Sequence, residues 1–93
     1  MRLTDLDPAD RPRERMLQHG AEALSDAELL ALFLRTGQRG EDVLAFASRV
    51  LHEAGGLAGV FAHDGRALAG IRGIGPAKQA ELRAITALAQ RYL

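Results

Sequence analysis

The sequence predicts an all-α protein. Hydrophobic residues make up 47% of the 93 residues and aromatic residues only 4%, so alanine and leucine supply most of the apolar mass. Both residue types favour helices over strands. Apolar residues also recur at helical spacing between glycines and prolines, and no stretch alternates as a strand would. We therefore expect a small bundle of about five or six helices.

The first ten residues and the rest of the chain have different predicted roles. Residues 1–10 are short, polar and turn-rich, which indicates a flexible N-terminal arm. Residues 11–93 are expected to form a single helical domain, because their length is typical of one. Within it, Pro12 suits the first position of a short helix over 12–19, and Gly20 suits its end.

Two stronger helices follow. Ser25 and Glu28 have the spacing of a capping box, and the run "LSDAELLALFLRTG" ends at Gly37. The stretch "GEDVLAFASRVLHEAGG" repeats the pattern, with acidic residues at the positive end of the helix dipole and Gly55-Gly56 at its end. These features predict two helices joined by a glycine-containing turn.

The remaining chain predicts one long helix preceded by short turns. "LAGVFA" is typical of a single turn, and Asp64 is placed to cap a short helix over 65–70. Pro76 opens the last helix. The predicted core comprises Leu29, Leu30, Phe33, Val43, Leu44, Ala47, Leu51, Phe61, Leu68, Ile71, Ile74, Leu82, Ile85 and Leu88.

A weak internal repeat relates the two halves. Residues 25–54 form a unit of two predicted helices joined by "RTGQRG". This unit resembles residues 65–91, where two predicted helices are joined by "RGIGPA". Each unit would be a pair of helices joined by a glycine-containing turn. If the two units pack together as a pseudo-duplicated pair, they bury helix faces that neither unit buries alone.

Composition limits the function classes. Without cysteine the chain has neither a disulfide framework nor a thiolate metal site. It lacks a bilayer-length apolar run and a signal-peptide pattern, which favours a cytoplasmic protein without membrane partners. The net charge of +0 argues against a strongly electrostatic nucleic-acid binder. However, residues 1–56 carry 7 Arg and 10 acidic residues, whereas residues 57–93 carry 5 Lys+Arg and 2 acidic residues.

The basic half contains the segment that points to chemistry, "IRGIGPAK" at 71–78. Gly73 and Gly75 permit a sharp reversal, Ile74 between them can reach the core, and Pro76 starts a helix. The free amides at that helix start, with the positive dipole end, favour an anion such as a backbone phosphate. The expected DNA contacts are Arg72, Gly73, Ile74, Gly75, Ala77, Lys78 and Arg83. If this segment admits a phosphate, Gly75 is expected to be the position least able to carry a side chain, because a Cβ there would point into the path of the anion or strain the turn.

The spacing of Ile71, the two glycines, Pro76 and Ala80 resembles the helix-hairpin-helix motif. That resemblance implies sequence-independent contact with DNA phosphates. It also implies a monovalent cation, K⁺ or Na⁺, held by the backbone carbonyls of Ala69, Ile71 and Ile74. The alternative to a DNA-binding motif is a tight glycine-containing turn that only reverses the chain and binds no ligand.

Taken together, "RPRER", "LSDAELLALFLRTG" and "GIGPAK" resemble the N-terminal domain of the RadC family (UPF0758) over residues 11–91. The family name links such proteins to DNA repair. The resemblance implies a second, C-terminal domain similar to JAB/MPN metalloproteases, which this chain lacks. Zinc is expected only in that domain, since His19, His52 and His63 do not have ligand spacing.

Other polar residues have structural interpretations. Arg11, Arg13 and Arg15 are suited either to contact phosphate or a partner domain, or to lie in solvent at a helix start. Ser25 has no neighbouring base, which favours a cap over a nucleophile. The chain is therefore not expected to be an enzyme.

Two function hypotheses follow. The first is a non-catalytic DNA-binding module that binds backbone phosphate weakly through residues 73–78. The second is a protein-interaction or regulatory module that packs on a C-terminal metalloprotease-like domain or on another partner. The neutral charge favours the second, and the 71–78 segment favours the first.

Overall fold

The protein is described here by a computed structural model, which covers residues 11–93. The predicted N-terminal arm at 1–10 lies outside these described residues. The five α-helices of this part of the chain are α1 (Pro12–His19), α2 (Asp26–Leu34), α3 (Val43–Ala54), α4 (Leu57–Val60) and α5 (Pro76–Tyr92). Two 3₁₀ turns, Ala21–Ala23 and Arg66–Leu68, complete the regular structure. The all-α prediction is confirmed.

The helix starts follow the predicted signals. Ser25 Oγ accepts from the Glu28 N–H, and the Glu28 carboxylate accepts from the Ser25 N–H, so both bonds of the capping box are present. Asp42 accepts from the Ala45 N–H at 2.8 Å at the start of α3. Asp64 accepts from the Arg66 N–H at 3.0 Å, although the element that follows is only a 3₁₀ turn.

The described chain divides into two compact units, one ending at Arg49 and the other running Val50–Leu93. In the first, α1 contacts α2 and the 3₁₀ turn that precedes it. Its buried residues are Pro12, Leu24, Leu30, Ala31, Leu34, Val43, Phe46 and Ala47. In the second, α4 contacts the Arg66–Leu68 turn. Its buried apolar residues are Val50, Ala54, Val60, Leu68, Ile71, Ile74 and Leu82.

The core prediction was wrong at two positions on α5. Ile85 and Leu88 are exposed by 40% and 66%, and Leu82 is the residue of α5 that is buried. Helical spacing identifies an apolar face but does not reveal whether anything covers it. Five further predicted core residues are half-buried: Leu29, Phe33, Leu44, Leu51 and Phe61.

The two glycine-containing connectors are built differently. Gln38 and Glu41 exchange two backbone hydrogen bonds of 2.9 Å, which form an isolated bridge in the connector between α2 and α3. The connector before α5 instead reverses through a single turn at 71–74. The likeness of the two helix-turn-helix units therefore does not extend to their turns.

Candidate nucleic-acid interface

The chain reverses through a tight turn at Ile71–Ile74. The Ile74 N–H donates to the Ile71 carbonyl at 3.0 Å, and Gly73, the third residue of the turn, has φ +93°. A positive φ at this position is the signature of a type II turn, which requires glycine or asparagine. Ile71 and Ile74 are both buried, so they fix the ends of the turn to the core. Gly73 is thus demanded by the backbone.

Helix α5 starts immediately after this turn. Gly75 is the N-cap residue, Pro76 occupies the first helical position, and no side chain caps the helix start. The first backbone hydrogen bond of the helix runs from the Gln79 N–H to the Gly75 carbonyl at 3.0 Å. The Ala77 N–H precedes it and has no acceptor within the helix. Gly75, Pro76 and Ala77 are exposed, so this end of α5 is open to an external acceptor.

Gly75 differs from Gly73 in a way that bears on function. Its φ is −85° and its ψ −175°, an extended conformation that any residue adopts. A Cβ added there would have nothing within 4 Å. The expectation that Gly75 is the position least able to carry a side chain therefore has no basis in the fold itself. Glycine is favoured over alanine at an N-cap, and a stricter requirement for glycine would have to come from a molecule outside the chain.

The predicted cations lie close to this helix start. Arg72 is an exposed residue within the turn, and Lys78 lies in the first turn of α5. Lys78 Nζ is 3.6 Å from Glu81 Oε2, and the two side chains are 30% and 51% exposed. The pair is partly exposed to water, which weakens it.

The structure places Arg83 differently from the other predicted contacts. A Cβ on Gly65 would lie 3.0 Å from Arg83 Cδ, so the stem of the arginine runs across the 62–65 loop. Arg83 also lines an open groove of about 420 Å³ with His63 and Ala80. It lies seven residues after Pro76, about 10 Å along the helix. The sequence suggested proximity but not this neighbouring groove.

The carbonyls expected to hold a cation already accept hydrogen bonds. The Ile71 carbonyl accepts from the Ile74 N–H, and the Ile74 carbonyl accepts from Gln79 Nε2 at 3.3 Å. A carbonyl has two lone pairs, so neither bond prevents coordination. The cation site stays a prediction. Gln79 was not anticipated from the sequence, although a side-chain amide one turn into a helix is placed to reach back to the preceding turn.

The arginines near the start of α1 act largely within the fold. Arg15 donates to the Glu28 carboxylate and to the Ala23 carbonyl, which joins α1 to the start of α2. Arg13 bonds the Glu14 carboxylate at 2.9 Å, and this bond holds the pKa of Glu14 below its usual value. For Arg13 and Arg15, a structural role therefore accounts for the observed contacts.

Arg35 was missed by the sequence interpretation. It has φ +70° and ψ −49°, and the Thr36 N–H donates across it to the Leu34 carbonyl at 2.8 Å. This is the rare and strained form of γ-turn. It ends α2 at Leu34, three residues before Gly37, where the sequence predicted the end. Helix propensity does not predict that α2 ends here, because arginine is a good helix former.

Two further findings restrict the chemistry. Among residues 11–93, no group of three or more His, Cys, Asp and Glu side chains is arranged to hold a metal ion. None of the helices in this range has the length and apolar character needed to cross a bilayer.

Comparison with known proteins identifies the family. The model of the UPF0758 N-terminal domain matches residues 3–80. A UPF0758 protein of Cupriavidus taiwanensis is 48% identical over all 93 residues, which cover 41% of its length. One of Methylibium petroleiphilum is 53% identical over 87 residues, 92% of this chain and 39% of that protein. One of Bordetella petrii is 52% identical over 87 residues, 94% of this chain and 39% of that protein.

The chain spans about two-fifths of the length of these relatives. No solved structure matches it. The family model covers most of the chain, and the identities are high throughout. The chain therefore belongs to the UPF0758 family, whose N-terminal region it matches.

Proposed function

We propose that this domain is a non-catalytic DNA-binding module that contacts backbone phosphate at the start of α5. The observation that carries the proposal is Gly75, which the fold does not require to be glycine. Glycine is a favoured N-cap residue, and an anion that approaches the backbone closely would add a second reason for it, because a side chain would obstruct the anion. The likeness of residues 71–80 to a helix-hairpin-helix motif supports the same interpretation.

The chemistry of the site matches a phosphate. The Ala77 N–H points out of the first turn of a 17-residue helix, where the dipole favours a negative charge. Among the described residues, the Gly75 N–H has no backbone acceptor. Arg72 and Lys78 add positive charge beside these donors. Such contacts hold a sugar-phosphate backbone without reading its bases.

The expected affinity is low. Only a few donors converge, and Glu81 partly offsets the charge of Lys78. A dissociation constant on the order of 10⁻⁴–10⁻⁶ M is typical of such sequence-independent contacts. The logarithm of the binding constant should fall with the logarithm of salt concentration, with a slope that indicates few phosphates.

A fluorescence-anisotropy titration with single-stranded, duplex and branched DNA tests the proposal. Lys78→Gln should weaken binding to all sequences alike and reduce the salt slope by about one. Arg91→Gln is the matched control, because it removes the same charge from the other end of α5, about 20 Å along the helix. It should leave binding nearly unchanged.

Gly75→Ala tests the backbone contact separately from charge. A methyl group at Gly75 should reduce affinity roughly tenfold or more, as expected for losing a hydrogen bond to a charged group. If Gly75→Ala binds DNA as well as the parent does, residues 71–78 serve only to reverse the chain and do not bind phosphate. Equal weakening by Lys78→Gln and Arg91→Gln would show that the binding is diffuse and not centred on this helix start.

A further inference from the structure

An apolar stripe runs along the second half of α5. Ile85, Leu88 and Tyr92 recur at helical spacing and are exposed by 40%, 66% and 89%. Residues three and four apart lie on the same side of a helix, so the three side chains form one continuous strip. This strip, together with Ala89, is called the α5 stripe below. A contiguous exposed apolar strip is typical of an interaction site, whereas exposed apolar side chains that are scattered singly are not.

A groove adjoins the α5 stripe. It has a volume of about 260 Å³ and lies between Phe61 and the last turns of α5. Ile85 and Ala89 line both the groove and the stripe, so the two features form one surface. All of these residues belong to the unit Val50–Leu93. A groove beside an apolar ridge is suited to hold a partner's apolar side chains.

The stripe itself carries no charged residue. From Leu82 to Leu93 the sequence contains Arg83 and Arg91 but no acidic residue. Arg83 lies four residues before Ala87 and therefore on the other side of α5 from the stripe. The surface therefore suits an apolar partner.

The family comparison indicates where such a partner lies. The N-terminal family model ends at residue 80, within α5 and five residues before the stripe begins. The relatives are much longer, and about three-fifths of the Cupriavidus taiwanensis protein lies outside the match. We propose that the α5 stripe is the docking surface for the C-terminal remainder of the UPF0758 polypeptide, through an apolar patch.

Attachment in one polypeptide favours this contact. Two surfaces joined within one polypeptide have a high effective concentration, so a modest apolar patch is enough to hold them together. The contact lies at the opposite end of α5 from Gly75 and does not depend on the proposed binding of DNA.

Thiol labelling in a full-length protein tests the proposal. The 93-residue chain replaces the aligned part of the Cupriavidus taiwanensis protein, and Leu88→Cys is introduced into both the chimera and the isolated chain. The chain contains no natural cysteine, so mass spectrometry of the peptide reports one site. Leu88→Cys should react with 5,5′-dithiobis(2-nitrobenzoate) at least tenfold more slowly in the chimera than in the isolated chain.

Ala87→Cys is the matched control, because Ala87 is an exposed neighbour that the helical twist places on the other side of α5. It should react equally fast in both proteins. Equal rates for Leu88→Cys in both proteins would overturn the proposal. Slow labelling of the isolated chain that becomes slower at higher protein concentration would also overturn it, because a second copy would then cover the stripe.

Hydrogen exchange on the natural Cupriavidus taiwanensis protein gives a second measurement that needs no chimera. The segment aligned with residues 82–93 should exchange more slowly in the full protein than in its matched N-terminal part. Identical exchange in the two would contradict the proposal.

Discussion

Gln79 Nε2 donates a hydrogen bond to the Ile74 carbonyl across 3.3 Å. The bond ties the first turn of α5 to the turn that precedes it, so the helix start and the chain reversal form one unit. Ile74 is buried while Gln79 is half-buried, which shields the bond partly from water. The geometry of the proposed phosphate site therefore depends on a residue that does not contact the phosphate.

Removing this side chain should loosen the site. Gln79→Ala is expected to lower the free energy of unfolding by about 0.5–1.5 kcal/mol, the usual net value of a hydrogen bond. Urea denaturation measures the change. Gln90→Ala, an exposed position on the same helix, is the control and should alter stability little. Equal effects of the two substitutions would show that the Gln79 bond contributes nothing.

The same carbonyl belongs to the predicted monovalent cation site. Crystals of the domain with DNA, soaked in thallium(I), should show an anomalous peak beside the carbonyls of Ala69, Ile71 and Ile74. Thallium(I) replaces potassium and scatters strongly. A well-ordered DNA complex without such a peak would contradict the prediction.

Arg35 offers a test of stored strain. Its φ of +70° is favourable only for glycine, and strain of this kind costs about 1–3 kcal/mol. Arg35→Gly should raise the free energy of unfolding by about 1 kcal/mol, after the greater flexibility of glycine in the unfolded chain is deducted. Arg39→Gly, in the same connector, should lower it by about 0.5–1 kcal/mol because no strain is relieved there. A loss of stability in Arg35→Gly would mean that its side chain makes a contact worth more than the strain.

The capping box predicts a dependence on acid. The Ser25 N–H bond, with Arg15 nearby, holds the pKa of Glu28 below the ordinary value of 4.5. A carboxyl with a lowered folded pKa stabilises the fold above its unfolded pKa, and the stabilisation is lost as pH falls through the folded pKa. Stability should therefore decline below about pH 4.5, and Glu28→Gln should flatten that decline.

Urea denaturation at a series of pH values checks this dependence. Glu22→Gln removes a carboxyl outside the capping box and serves as the control. Parallel pH profiles for the parent and Glu28→Gln would contradict the prediction.

Local signals in the sequence were sufficient to predict most helix boundaries. The Ser25–Glu28 spacing, Pro12 and Pro76 each act within one turn of a helix, so neighbouring residues determine the outcome. The burial of Ile71 and Ile74 was also predictable, because the glycines around them allow only a short reversal with both side chains turned inward.

Features that depend on distant packing were not predictable. Ile85 and Leu88 continue the apolar spacing of α5 beyond Leu82, but exposure depends on what lies opposite. The strained turn at Arg35 is likewise imposed by the tertiary structure, since the residue itself would continue the helix. The position of Arg83 over Gly65 arises from the path of the 62–65 loop, which has no local signature.

The two glycines of the turn should separate folding from binding. Gly73→Ala forces a side chain into a left-handed conformation and should cost about 1–2 kcal/mol. Gly75→Ala meets neither a steric nor a conformational obstacle. The poorer N-cap preference of alanine is offset by the lower flexibility of the unfolded chain, so stability should stay within about 0.5 kcal/mol of the parent. Urea denaturation of both variants, followed by DNA titration of the folded protein, gives the comparison. Gly75→Ala should then bind DNA more weakly although it is as stable as the parent, a combination that a purely structural corner cannot produce. A stable Gly75→Ala with undiminished binding would leave the proposed phosphate site without its main support.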